Sequence, residues 1–327
     1  MRIAVTGSIA TDHLMTFPGR FTDSLVADKL DKVSLSFLVD HLEIRRGGVA
    51  ANIAFGMGCL GLRPVLVGAV GADFADYRSW LERHGVDTAS VHVSEERHTA
   101  RFICTTDDDQ NQIASFYPGA MTEARTIELG PVMARLGGLD LVLVGPDDPD
   151  AMLRHTDECR QRGIPFAADP SQQLARMDGA DIRRLIDGAA YLFTNEYEAA
   201  LTGQKTGWDE AEILSRVQTR VTTRGPKGAV VERRGESPVS VEVPLEERKA
   251  DPTGVGDGFR AGFVAGLAWG LSMQRSAELG CLVATYVIET VGTQEYRFDP
   301  SGFGGRFATA YGVDAAADLA PHLVHTA

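Results

Sequence analysis

Short apolar runs alternating with helical stretches constrain this chain more than any other feature. Ile3–Gly7, Pro64–Gly71, Leu141–Gly145, Ile164–Asp169 and Tyr191–Thr194 are rich in Val, Ile, Leu or Phe, and most are bounded by Gly, Pro or Asp. A strand that is apolar on both faces must be covered on both faces. A mostly parallel sheet between two helix layers, a three-layer α/β/α body, meets that need. Helices are expected over Gly48–Leu60, Ala75–His84, Asp150–Arg162, Ala180–Asp187, Asp209–Val217, Asp257–Trp269 and Gln274–Glu289, with a last one after Gly312.

Two stretches break the rhythm. Residues 12–46 have little helical periodicity, and residues 97–118 read as a hairpin: RFICTT, the polar turn DDDQN, then QIASFYPG. A β-insertion on an α/β body is a candidate small β-sheet lid. A plain edge hairpin is the alternative. No linker or repeat divides the chain, so 1–327 is expected to be one domain carrying lid segments at approximately 12–46 and 97–118.

Charge and composition exclude several classes. Thirty-two basic residues face 45 acidic ones, a net charge of −13. Nucleic acid and anionic membrane both demand a basic surface, so neither is an expected partner. No apolar run reaches the ~18 residues of a membrane span. The opening MRIAVTGSIA reads as a strand rather than a leader. Four scattered cysteines without CxxC fit reduced thiols in a cytoplasmic protein, and eight histidines show no metal spacing.

The strongest local signal is Asp251-Pro252-Thr253-Gly254-Val255-Gly256-Asp257, which runs into the helical FRAGFVAGLAWG. Glycines before a helix let a ligand approach the unbonded first-turn N–H groups, whose partial positive charge favours an anion. Such a turn could hold a transferring phosphoryl group. Asp257 would then be a base for a substrate hydroxyl, kept ionised by the helix field. Equally, it could be an ordinary N-cap. Gly258, Gly262, Gly266 and Gly270 repeat every four residues and make a small-residue packing face.

Other motifs mislead or are missing. Gly56-Met57-Gly58-Cys59-Leu60-Gly61 matches GxGxxG but ends a helix instead of opening one, which argues against a dinucleotide site. GxxxxGK[ST], HRD, DFG and GxSxG are absent.

Two signatures together resemble the ribokinase-like (PfkB) family of carbohydrate and nucleoside kinases. The first is Gly47-Gly48-Val49-Ala50-Ala51-Asn52-Ile53-Ala54, with Gly61 and Gly71. The second is Thr253 to Asp257, similar to the family's DTxGAGD, with Pro252 and Val255 as departures. The resemblance covers essentially the whole chain and implies a ribokinase-like fold. It implies Asp257 as catalytic base, with the amides of Gly254, Val255 and Gly256 in the anion hole. Asn195-Glu196-Tyr197-Glu198 is similar to the family's NxxE. That implies Asn195 on ATP phosphates and Glu198 on Mg²⁺, through water. An acidic helix start is the plainer alternative. Thr223, Gly225 and Gly228 are similar to the nucleotide loop, where a β-turn is the plainer one.

Finer detail resembles the bacterial adenosine kinase branch. Ser8 and Asp12 follow the first strand, where the family accepts sugar hydroxyls, and Gly48 and Asn52 would hold the same sugar. Ser36, Phe102, Phe116, Gln172 and Gln173 resemble its nucleoside pocket. The two phenylalanines would sandwich a base or pair across the hairpin. The resemblance implies ATP and Mg²⁺ and a homodimer through the lid, and it leaves the need for a monovalent cation open. The expected reaction is 5′-phosphorylation of adenosine. A sugar kinase of the ribokinase or fructokinase type and a non-catalytic nucleoside binder are the alternatives.

Overall fold

The computed structural model describes residues 1–24 and 36–323. Part of the expected 12–46 lid segment, residues 25–35, therefore lies outside the described residues.

Parallel pairing builds the central sheet. β1 (Ile3–Thr6) lies between β4 (Val65–Val67) and β9 (Leu141–Val144), followed outward by β10 (Phe166–Ala168), β11 (Tyr191–Asn195) and β12 (Thr219–Thr223). Beyond the tight turn at 225–228 the chain reverses into antiparallel β13 (Ala229–Arg233) and β14 (Val239–Val241). Alternate strand residues feed opposite layers, as a pleat requires. Ile3 and Val5 join one core with Phe55 and Phe263, while Ala4 joins another with Val132 and Ile182. The first layer is α2 (Val49–Cys59), α3 (Ala75–Arg83), α9 (Val255–Ala268), α10 (Met273–Ile288), α11 (Pro300–Tyr311) and α12 (Val313–Leu319). The second holds α4 (Leu129–Leu136), α5 (Pro149–Arg162), α6 (Gly179–Ile186), α7 (Glu196–Thr206) and α8 (Glu210–Arg216).

The small residues of α9 fit α10 as expected. Gly258, Gly262 and Gly266 lie against Val287, Leu279 and Ser276, whereas Gly270 ends the helix in the left-handed region.

A separate four-stranded sheet carries β3 (His41–Gly47), β2 (Ala10–Thr16), β7 (Ala100–Thr106) and β8 (Gln112–Tyr117) in that order. The expected 97–118 hairpin is β7 and β8. Residues 12–46 supply two strands that sequence periodicity had not revealed, next to a short helix α1 (Phe21–Ser24). The expected strand Pro64–Gly71 is broken. The His92 amide bonds to the Gly68 carbonyl, so β5 (Ala69–Gly71) leaves the main sheet to pair with β6 (His92–Ser94).

Connections after β1 lead to β4 on one side, and β9 then joins on the other. Such a switch leaves a crevice at the carboxyl ends of the strands. Ser8 and Pro146, just beyond β1 and β9, line it.

Candidate active site

The crevice opens into a cavity of about 460 Å³. The four-stranded sheet contributes Asp12, Phe102 and Phe116, which are register partners across β2, β7 and β8 and so share one face. The rings of Phe102 and Phe116 lie directly opposite in register but make no ring contact with each other, which leaves their faces available. Helix α2 contributes Gly48 and Asn52. Gly48 has φ +93, and a Cβ there would sit 2.6 Å from Ala10 N, so only glycine allows this crossing. Ser8 Oγ accepts the Val49 amide (3.0 Å) and fixes the start of α2. Gln172 and Gln173 line the opposite wall, beside Ser171 in the left-handed region (φ +44). Among the described residues, the buried Gln173 Oε1 has no hydrogen-bond partner. Ser36 is exposed and stands outside the cavity lining.

Asp257 closes the floor. It does not cap α9; the N-cap is Gly254 (φ +77), and no described side chain caps that helix. Asn52 Nδ2 instead donates to Asp257 Oδ2 (2.8 Å). Asn52 Oδ1 accepts Thr293 Oγ1 (3.0 Å) and Gln294 Nε2 (2.9 Å), so the amide is held from both ends. Desolvation pushes the Asp257 carboxyl up to about 7, with the Asn52 amide and the Arg260 charge opposing the rise. This corrects the expectation that the helix terminus keeps it fully ionised. A base near neutral pH suits proton transfer. Desolvation also lifts Asp12 to about 6, against the opposing charge of Arg45.

A second cavity of about 310 Å³ lies on the other side of the same turn. Thr223, Gly225 and Gly228 line it together with Val255 and Gly256, and Val243, Phe259 and Ile288 make it apolar. Thr253, Gly254 and Asp257 face the first cavity, and Pro252, Val255 and Gly256 face the second. The turn is thus the wall between them. The Val255 amide bonds to the Pro252 carbonyl (3.4 Å), so an anion would be met by the remaining first-turn amides, Gly256 and Asp257.

Asn195 and Glu198 form a reciprocal capping box at α7: the Glu198 amide bonds to Asn195 Oδ1, and the Asn195 amide to Glu198 Oε2, both at 2.8 Å. The plainer reading of this motif therefore describes its geometry, and Asn195 is not in the lining of the second cavity. Glu198 Oε1 makes no hydrogen bond among the described residues. No group of three or more His, Cys, Asp or Glu among those residues could cage a metal. One free carboxylate oxygen fits Mg²⁺ carried mainly by phosphates and water.

Sequence reasoning missed Thr293, Gln294, Ser171 and the buried pair Arg260–Asp169. Thr293 and Gln294 lie in a loop without periodicity. Only Arg260, a charge inside an otherwise apolar helix face, carried a signal.

Residues 7–298 match the pfkB family carbohydrate kinase model. The structure of Burkholderia thailandensis nucleoside kinase in complex with inosine superposes with a TM-score of 0.83 at 38% identity, covering 95% of this chain and 97% of that one. The nucleoside kinase of Methanocaldococcus jannaschii is 26% identical over 297 residues, covering 90% of this chain and 92% of its own. The cytidine kinase of Thermococcus kodakarensis is 26% identical over 75% of this chain. No described helix is long and apolar enough to cross a membrane.

Proposed function

The chain belongs to the pfkB family of carbohydrate kinases, and we propose that within it this protein transfers the γ-phosphoryl group of ATP to the 5′-hydroxyl of a purine nucleoside. Adenosine is the substrate implied by the sequence resemblance, and inosine is the one bound by the Burkholderia relative. The observation that carries the reading is the shared wall: one phosphate turn separates the cavity holding Asp257 from the cavity lined by the nucleotide loop.

The ribose sits on Asp12, Gly48 and Asn52, where a carboxylate accepts from vicinal hydroxyls. The purine lies against Phe102 and Phe116, each stacked base contact contributing ~1–3 kcal/mol. Gln173, with its unpartnered Oε1, meets the base edge. A glutamine amide can present either donor or acceptor, which accommodates both 6-amino and 6-oxo purines. The four-stranded sheet acts as a lid that excludes water. The 5′-oxygen attacks the γ-phosphorus as its proton passes to Asp257, and the bond to the bridging oxygen breaks, releasing ADP. First-turn amides of α9 bear the equatorial charge. Mg²⁺, when bound near Glu198, neutralises phosphate charge. The outer face of the lid exposes Leu42, Ile44 and Ile113, the surface through which two copies would pair.

The test is a phosphoryl-transfer panel with ATP and Mg²⁺ over adenosine, inosine, cytidine, ribose and fructose. A purine nucleoside should give the highest kcat/KM. Preference for ribose or fructose would sink the nucleoside reading. Asp257→Asn should lower kcat by at least ~10³-fold, and near-normal turnover would remove Asp257 as base.

A further inference from the structure

A buried cation lies under the phosphate turn. Arg260, one helical turn beyond Gly256, is 6% exposed, and Asp169 is fully enclosed. Arg260 Nη2 donates to Asp169 Oδ1 (2.7 Å), its Nε pairs with Asp169 Oδ2, and its Nη1 donates to the Gly256 carbonyl (3.0 Å). The guanidinium carbon lies 5.7 Å from the Phe193 ring centroid.

Asp169 ties this cation to the other side of the site. Its amide bonds to the Val144 carbonyl (2.9 Å) at the end of the sheet, and the chain then runs through Pro170 into the Ser171–Gln173 wall of the substrate cavity. One guanidinium thus joins the phosphate turn to the substrate wall. Asp169, Asp257 and Glu198 all lie in its field.

Buried ion pairs seldom add stability, because desolvation offsets most of the Coulomb gain. Position gives this one another role. We propose that Arg260 and Asp169 form a positioning pair that locks the phosphate turn to the substrate wall and supplies the fixed countercharge beneath Asp257. This rests on Asp257 being the base.

Asp257 is faced by Asn52 from α2, Tyr77 from α3, Tyr296 from the segment after α10, Asp169 from the end of β10 and Arg260 from its own helix. Asp12 and Arg176 line the same cavity. Burial pushes both phenols further up, so they stay neutral. Arg260 favours the ionised form of Asp257, and Asp169 opposes it. Removing the two partners must therefore move Asp257 in opposite directions, which a merely structural pair would not do.

The experiment measures single-turnover phosphoryl transfer against pH, with ATP–Mg²⁺ and the best nucleoside of the panel both saturating. Saturation keeps the titration of Asp12, felt in nucleoside binding, out of the rate. Arg260→Gln should move the acid limb up by about one pH unit, and Asp169→Asn should move it down. Arg260→Lys keeps the charge but loses the two-pronged geometry, so its limb should stay within ~0.3 unit while the rate falls about tenfold. Limbs that stay put in both neutral variants, or move the same way, overturn the proposal. If Arg260→Gln does not fold, the downward shift in Asp169→Asn with an unmoved limb in Arg260→Lys decides it, and absence of that shift overturns it. Asp257→Asn separates the two readings. Near-normal turnover in that variant refutes the base itself, whereas a dead variant with unmoved limbs elsewhere refutes only the positioning pair.

Discussion

Asn52→Asp is the sharpest single-atom test of how the base is held. The substitution keeps side-chain shape and keeps Oδ1 as acceptor for Thr293 and Gln294. It changes only the group facing Asp257, where an amide N–H 2.8 Å away becomes a carboxylate oxygen. Two ionised carboxylates about 3 Å apart would repel by about 5 kcal/mol at an effective dielectric constant of 20. They would share a proton instead, and the pair would titrate in two separated steps. With the Asn52 amide donating to it, Asp257 already stands at about 7. With proton sharing and solvent screening leaving about half of that repulsion, ~2 units at ~1.36 kcal/mol per unit, the second ionisation would lie near pH 9. The ionised fraction at pH 7 would then drop from about one half to about one hundredth, a ~50-fold slower transfer. The loss should be recovered as pH rises through 9. The assay is single-turnover ADP formation between pH 6 and 10, with thermal unfolding as a check on folding. A profile superimposable on the parent's, or a rate that recovers at low pH, would refute the claim that Asn52 sets the ionisation of Asp257.

Other outcomes are expected. Asp12→Asn should raise the nucleoside KM by ~10–100-fold with a smaller effect on kcat, and parent affinity should fade as pH falls through about 6, where Asp12 protonates; titration calorimetry at pH 5 and 8 measures both. Gly254→Ala should lower kcat by ~10²-fold in the transfer assay, because φ is +77 and the new Cβ would lie 2.9 Å from Thr293 Cγ2. Asp147 is 2% exposed, and burial lifts its carboxyl to about 8. The folded state then binds more protons than the unfolded one between about pH 4 and 8, so stability falls as pH rises across that window. Asp147→Asn should gain ~1–3 °C in Tm at pH 8 and nothing at pH 4 by thermal unfolding; equal shifts at both values would refute the linkage.

The body was legible because its strands are apolar on both faces. Val142 and Leu143 point into different cores, and a run like LVLV admits no other placement. The lid was legible only in half. Phe102 and Phe116 announce a hairpin by local alternation, whereas β2 and β3 are joined by a long connection, and their pairing depends on register with β7. The glycines and Asp257 of the phosphate turn stood out because backbone chemistry limits which residues serve there. Ser36 carries the resemblance by residue type, and it stands outside the lining of the first cavity. A helix start attracts anions, which is why the sequence points to an ionised Asp257; the burial that raises its carboxyl is a product of the tertiary fold, and Tyr77 and Tyr296, which feel its charge, are remote in sequence. Thr293 and Gln294 were invisible for the same reason, since their partner Asn52 is about 240 residues away.

The wall between the two cavities is one turn of chain, with neighbouring residues facing alternate sides. On the proposed reading, the acceptor and the donor each occupy their own cavity. On that reading, what the two ligands share is the partition itself, with Thr253, Gly254 and Asp257 on one side and Pro252, Val255 and Gly256 on the other.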